Sequence, residues 1–202
     1  MDRGSDQGLI VFRLYDQQFP SGDAYRYVQL SYVVPDLVTA AWDWVDLHGA
    51  GPFLILPPTD FQAPYRGGTT RLRYRIAVTQ LGPLQLELTE VLDDAPSHYR
   101  DMYGPGEGGP HHLSTVTSDF DGAVAHYEAS DADVVTVFSS PAGRVCYVDT
   151  RQRLGLFTEV LECTDVMMRG LRGTASLCAR WDGTDPVRVM TQEREYAAVP
   201  HP

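Results

Sequence analysis

At 202 residues the chain has room for one domain, or for two small half-domains sharing a core. Hydrophobic residues at 43% and charged residues at 21% are ordinary globular values, which excludes a disordered or collagen-like chain. The formal charge of −11 opposes binding to nucleic-acid phosphates, and because all 16 basic residues are arginine, Schiff-base, phosphate-loop and Ser–Lys chemistry is excluded.

Residues 1–24 read as an N-terminal extension with one strand-like run, LIVFRLY. Acidic residues come early and the apolar run is short, so neither a signal peptide nor a membrane span is expected. From residue 25 a first module begins. The β-favouring run VQLSYVV leads to Asp36, placed to cap a helix over about 37–48 whose Leu37, Ala40, Ala41, Trp44 and Val45 recur at helical spacing. Next, TTRLRYRIAVTQ alternates arginine with Leu72, Tyr74 and Ile76, and LQLELTEVL follows a Gly82–Pro83 turn. This module closes at about residue 102. Residues 103–110, YGPGEGGP, form a linker; no Lys-Ser/Thr follows them, so they do not cradle phosphate.

The same order then restarts over 111–163. A strand, HLSTVT, precedes Asp119 as a cap, a helix over about 120–130, and the strands DVVTVFSS, GRVCYVDT and LGLFTEVLE. Residues 164–202 make a C-terminal helix, interrupted at Gly170 and Gly173, and a tail. Cys146, Cys163 and Cys178 form no CxxC and are odd in number, which fits a soluble protein of the reducing cytoplasm.

The order repeats because the sequence does. QLSYVVPDLVTAAWDW from Gln29 lies over HLSTVTSDFDGAVAHY from His112 without a gap, matching Leu30 with Leu113, Ser31 with Ser114, Val33 with Val116, Asp36 with Asp119 and Ala40 with Ala123. Gln29 and His112 thereby take matched places on the opening strands, while Glu87 and Glu159 lie on the last strand of each half. Since strand residues alternate between faces, four such residues can point into one cleft. An amide oxygen, two carboxylates and an imidazole form a hard, oxygen-rich shell suited to a divalent ion. TEVL occurs at both 89–92 and 158–161, which leaves Glu90 as the alternative counterpart of Glu159; laying E-L-T-E over E-V-L-E prefers Glu87.

These segments resemble the vicinal oxygen chelate superfamily, which holds glyoxalase I, methylmalonyl-CoA epimerase, extradiol dioxygenases and bleomycin-resistance proteins. The resemblance covers about residues 27–163 and rests on QLSYVVPDL, HGAGPF, GPLQLELTEVL, GPHHLSTVTSDFDGAVAHY and GLFTEVLE. It implies an α+β fold of two βαβββ modules whose curved, incompletely closed mixed sheet surrounds a metal cleft. It also implies Gln29, Glu87, His112 and Glu159 as ligands of one divalent ion (Zn, Mn, Co, Ni or Fe), with Glu87 and Glu159 as the catalytic carboxylates. The order Gln, Glu, His, Glu resembles the eukaryotic type of glyoxalase I. However, Val33 and Val116 stand where basic groups for glutathione are expected, and an extradiol triad would need a second histidine.

The implied activity is isomerisation, epimerisation or elimination through an enolate-like intermediate on a small carbonyl or acyl-CoA-type substrate. A non-catalytic protein sequestering an aromatic or antibiotic ligand in the same cleft is the alternative. Arg71, Arg73 and Arg75, with Tyr65 and Arg66 nearby, are candidate substrate contacts. Tyr25, Tyr27, Trp42, Tyr99 and Tyr103 are candidate aromatics near the cleft. The expected partners are a small-molecule substrate and a second copy of the chain, with neither nucleic acid nor membrane.

Overall fold

The computed structural model describes residues 26–193 and 195–202. The expected strand at LIVFRLY and Tyr25 lie outside these. In the first repeat, β1 (Arg26–Val33) leads into α1 (Leu37–His48), followed by β2 (Phe53–Ile55), β3 (Thr59–Tyr65), β4 (Gly68–Leu81) and β5 (Leu84–Val91). The second repeat has β6 (Gly109–Thr117), α2 (Phe120–Ala129), β7 (Asp133–Ser140), β8 (Gly143–Asp149), the short α3 (Arg151–Leu154) and β9 (Phe157–Glu162). The C-terminal part adds α4 (Asp165–Ala179), β10 (Val187–Met190) and β11 (Tyr196–Ala198).

Both repeat helices start as the sequence dictates. The Asp36 carboxylate accepts the Thr39 N–H at 2.7 Å, and the Asp119 carboxylate accepts the Gly122 N–H at 3.0 Å. Each occupies one of the donors that a helix start leaves unpaired. Gly49, at φ 63°, ends α1 in the left-handed conformation that costs glycine least.

Among the described residues all strands join one open mixed sheet in the order β11-β10-β2-β4-β5-β1-β6-β9-β8-β7, with β3 paired to β4. The expected α+β architecture of two βαβββ modules around a non-closed sheet is what forms. At its centre β1 runs antiparallel to β6, while β1–β5 and β6–β9 are parallel, so the repeats meet about a pseudo-twofold axis. One face is sealed by α1 over Phe53, Ala77, Leu86 and Leu88, and by α2 over Cys146, Val148 and Val160. The other face turns inward.

Three local features differ from the sequence reading. The linker ends early, because Gly109 and Pro110 already belong to β6. The strand β3 went unread, although its turn to β4 has a clear cause. Arg66 and Gly67 both take positive φ, 45° and 78°, which two-residue hairpins demand and which Gly67 supplies without strain. Finally, α4 is continuous through Gly170 and Gly173, because the Thr164 hydroxyl caps its start and Leu171, Thr174 and Ala175 bury one face. Packing outweighs two weak helix formers. No heavy atom lies within 4 Å of a Cβ built at Gly173. Gly173→Ala is therefore expected to stabilise the fold by about 0.5–1 kcal/mol, read as a rise in the urea midpoint; a fall would show that the glycine is needed there.

Candidate active site

The β5 sequence LQLELTEV alternates apolar and polar residues, a pattern that normally turns the polar side to water. Here that side is buried, because the second repeat covers it. Gln85, Glu87 and Thr89 meet Gln29 and Ser31 from β1, His112 and Ser114 from β6, and Glu159 from β9, all within the protein. This polar stripe crosses four central strands and is dense in hydrogen bonds, as buried polar groups require. Ser31 Oγ donates to Glu87 Oε1 at 3.0 Å, Thr89 Oγ1 donates to the same oxygen at 3.1 Å, and Gln29 Nε2 donates to Gln85 Oε1 at 2.7 Å and Glu87 Oε2 at 3.2 Å. Ser114 Oγ donates to Glu159 Oε2 and reaches Gln29 Oε1 at 2.9 Å.

Register shows how the repeats build this symmetry. Ser31 lies opposite Glu87, and its repeat mate Ser114 lies opposite Glu159. Glu87 is thus the positional counterpart of Glu159. Glu90 pairs with Arg75 on the other face of the sheet. All four residues implied as ligands are brought together, with His112 fully buried and Nε2 lying 3.7 Å from Glu87 Oε1 and 3.5 Å from Glu159 Oε2.

A histidine missed in the sequence determines what His112 presents. His111 Nε2 lies 3.0 Å from the His98 carbonyl oxygen, which only accepts, so His111 carries its proton there. Its Nδ1 is then a bare acceptor, 2.8 Å from His112 Nδ1, which must donate. Neutral His112 consequently holds a lone pair at Nε2, an atom with no hydrogen-bond partner, in front of two carboxylates. That arrangement calls for a cation. Two ligands about 2.1 Å from one ion at a tetrahedral angle lie about 3.4 Å apart, near the observed separations. Gln29 presents its NH₂ to Glu87 as it stands, so its oxygen joins the set only when the amide turns over, a move that also lets Nε2 donate to Ser114. Among the described residues no group of three or more His, Cys, Asp or Glu is placed to hold a metal ion as it stands. The donor chemistry fits a divalent ion, and the amide turn completes it.

The two carboxylates are not electrically equivalent. Burial raises the Glu87 carboxyl, and the charge of Glu159 adds to that rise. Burial acts on Glu159 as well, but positive charge at His112, in the protonated form that a bound cation would displace, and hydrogen bonds from Ser114 and Tyr147 outweigh it and lower the group. Despite its own burial His112 is raised, by Glu159 and then Glu87. Carboxyls whose affinities for a proton are pushed apart are suited to opposite proton-transfer roles.

Beyond this polar end opens a cavity of about 650 Å³. Gln29, Glu87 and Glu159 line it beside Tyr74 and Tyr147, neither of which was singled out in the sequence. Arg71, Arg73, Arg75 and Tyr65 do not line it. Alternation along β4 sends Tyr74, Ile76 and Val78 inward and the arginines outward. There Arg71 forks onto Asp60 with both contacts at 2.7 Å, and Arg75 pairs with Glu90. Tyr65 is buried in the neighbouring core, 3.3 Å from Arg66 Nε. The signal for Ser31 and Ser114 was present in the repeat identities; that for Gln85 was its place two residues before Glu87.

Comparison with known proteins agrees with this architecture. Residues 28–147, more than half of the chain, match the family model described as Glyoxalase/Bleomycin resistance protein/Dioxygenase superfamily. Methylmalonyl-CoA epimerase from Mycobacterium tuberculosis is similar in structure, with a TM-score of 0.51 at 16% identity, covering 76% of this chain and 98% of that one. A hypothetical protein from Bacillus halodurans C-125 is similar at a TM-score of 0.50 and 14% identity, covering 71% and 97%. No curated protein matches the chain in sequence. At such identities the solved structures speak for the fold alone. With its family match, its two modules and its open sheet, the chain belongs to the glyoxalase, bleomycin-resistance and dioxygenase superfamily, the vicinal oxygen chelate proteins.

Proposed function

We propose that the protein is a divalent-metal-dependent isomerase or epimerase that moves a proton next to a carbonyl group. The observation that carries this reading is the pair Glu87 and Glu159, one from each repeat, flanking the bare Nε2 of His112 at the polar end of an apolar cavity. A divalent ion held by His112, Glu87, Glu159 and Gln29 would supply Lewis acidity that stabilises the enolate oxygen of the substrate. Glu159, oriented by Ser114 at the polar end of the cavity, takes the α-proton. Glu87, held by Ser31 and Thr89, returns a proton from the side of the other repeat. Ser31, Thr89 and Ser114 keep both carboxylates oriented during the exchange.

Protein purified without chelator is expected to carry about one divalent ion per chain, retained by wild type and lost in Glu159→Ala. An empty wild type after dialysis against Zn²⁺, Mn²⁺, Co²⁺ and Ni²⁺ in turn overturns the metal reading and favours a binding pocket. His111→Phe keeps a ring of similar shape but removes the acceptor that holds the His112 tautomer. It is expected to weaken metal binding by about 10–100-fold with little loss of folded structure, measured by competition with a chromophoric chelator.

A further inference from the structure

We propose that the occupant of this cavity is a compact, apolar carbonyl compound seated beneath α4, in preference to the acyl end of a coenzyme A thioester. The inference rests on reading Glu87 and Glu159 as the reactive end of the cavity and adds the class of substrate. At about 650 Å³ the space suits a molecule of drug-like size. Its walls come from both repeats and are apolar, with Ile76 and Val78 on one side and Val145 and Leu161 on the other.

The roof is helical. Met167, Leu171 and Leu177 of α4 line the cavity from above. With Gly170 and Thr174 they recur at 167, 170, 171, 174 and 177, which is helical spacing, so one stripe of that helix faces the ligand space. The roof is thus supplied by the C-terminal helix, α4.

Charge points the same way. A coenzyme A moiety carries several phosphate charges and needs a cluster of cations to hold them. Among the described residues that line the cavity, Arg169 is the sole cation. The arginine row of β4 faces away, with Arg71 paired to Asp60 and Arg75 to Glu90, and the chain as a whole carries −11. A ligand with one polar head and an uncharged apolar body matches polar groups gathered at one end and hydrocarbon elsewhere.

The test compares related ligands by isothermal titration of the metal-loaded protein: 2-butanone, 4-phenyl-2-butanone and propionyl-CoA. Enclosing the phenyl ring is expected to tighten binding about 10–100-fold over 2-butanone, with propionyl-CoA weaker than the phenyl ketone. Half-buried Ile76 lines the cavity. Ile76→Trp fills the space and is expected to abolish the advantage of the phenyl group while a cooperative melt is retained; Ile76→Phe is the milder version if the first variant does not fold. Tighter binding of propionyl-CoA, no gain from the phenyl group, or an unchanged affinity in a folded Ile76→Trp overturns the inference. Deuterium exchange at the α-carbon, followed by NMR in D₂O, separates this failure from that of the proposed reaction. Exchange in propionyl-CoA with no ketone binding leaves the reaction standing and removes the enclosed ligand. Tight, Ile76-sensitive ketone binding without exchange does the reverse.

Discussion

Glu159→Gln is expected to lower α-proton exchange by about 10²–10⁴-fold, the range that a positioned general base contributes, while the folded structure survives. The amide keeps the size of the carboxylate and can still meet Ser114, so the polar stripe loses a charge with little loss of packing. Glu87→Gln is expected to cost less for exchange from one face and more for interconversion of two stereoisomers, because return of the proton from the other repeat is impaired. Single-turnover exchange of each substrate stereoisomer in D₂O separates the two. Equal losses in both variants for both measurements would show that the carboxylates act only as ligands, without divided proton-transfer roles.

The second large effect concerns stability. Arg66, at the tip of the β3–β4 hairpin, reaches Asp101 at 2.6 Å and Asp149 at 2.7 Å and also pairs with Asp133 of β7, while its N–H donates to the Val135 carbonyl at 2.9 Å. One guanidinium thus ties the first repeat to the second across the open side of the sheet. Arg66→Leu leaves partly buried aspartates without their counter-charge, and it is expected to destabilise the fold by about 1.5–3 kcal/mol after allowance for the side chain's partial exposure. Urea unfolding at neutral pH measures this.

The pH dependence has a definite sign. Hydrogen bonds from Arg151, and then from Arg66, lower the Asp149 carboxyl from 3.8 to about 2. A carboxyl lowered in the folded state contributes stability that is full above its unfolded value near 4 and is lost as pH falls through about 2. The gap between wild type and Arg66→Leu should therefore narrow on acidification through that window. A gap that stays constant down to pH 2 would assign the loss to packing of the hairpin and not to charge.

Much of the architecture was legible in the chain. The repeat at an offset of 83, the caps Asp36 and Asp119 and the alternating strands are local signals, and local physics realises them. The pairing of Gln29 with His112 followed from the repeat, but TEVL left Glu90 beside Glu87 as the counterpart of Glu159, and only the strand register, Ser31 opposite Glu87 and Ser114 opposite Glu159, decides it. Other features depended on distant partners. Alternation in LQLELTEV is the same whether its polar side meets water or a second module, so burial of Gln85, Glu87 and Thr89 required the β1–β6 junction. Likewise, an arginine row on β4 shows which residues share a face but not which face is enclosed.

What the amino-acid sequence determined by itself was the set of elements and the kind of chemistry its side chains permit: no lysine, four oxygen and nitrogen donors in repeated places, and two carboxylates available to move a proton. Tertiary structure alone decided the state of those groups. The tautomer of His112 depends on a carbonyl 14 residues away, at His98, acting through His111. The roof of the cavity depends on α4, continuous through two glycines because its inner face finds β4 and β5 to pack against. Proton position and solvent exclusion are set by contacts between distant segments, and no periodicity within one segment encodes them.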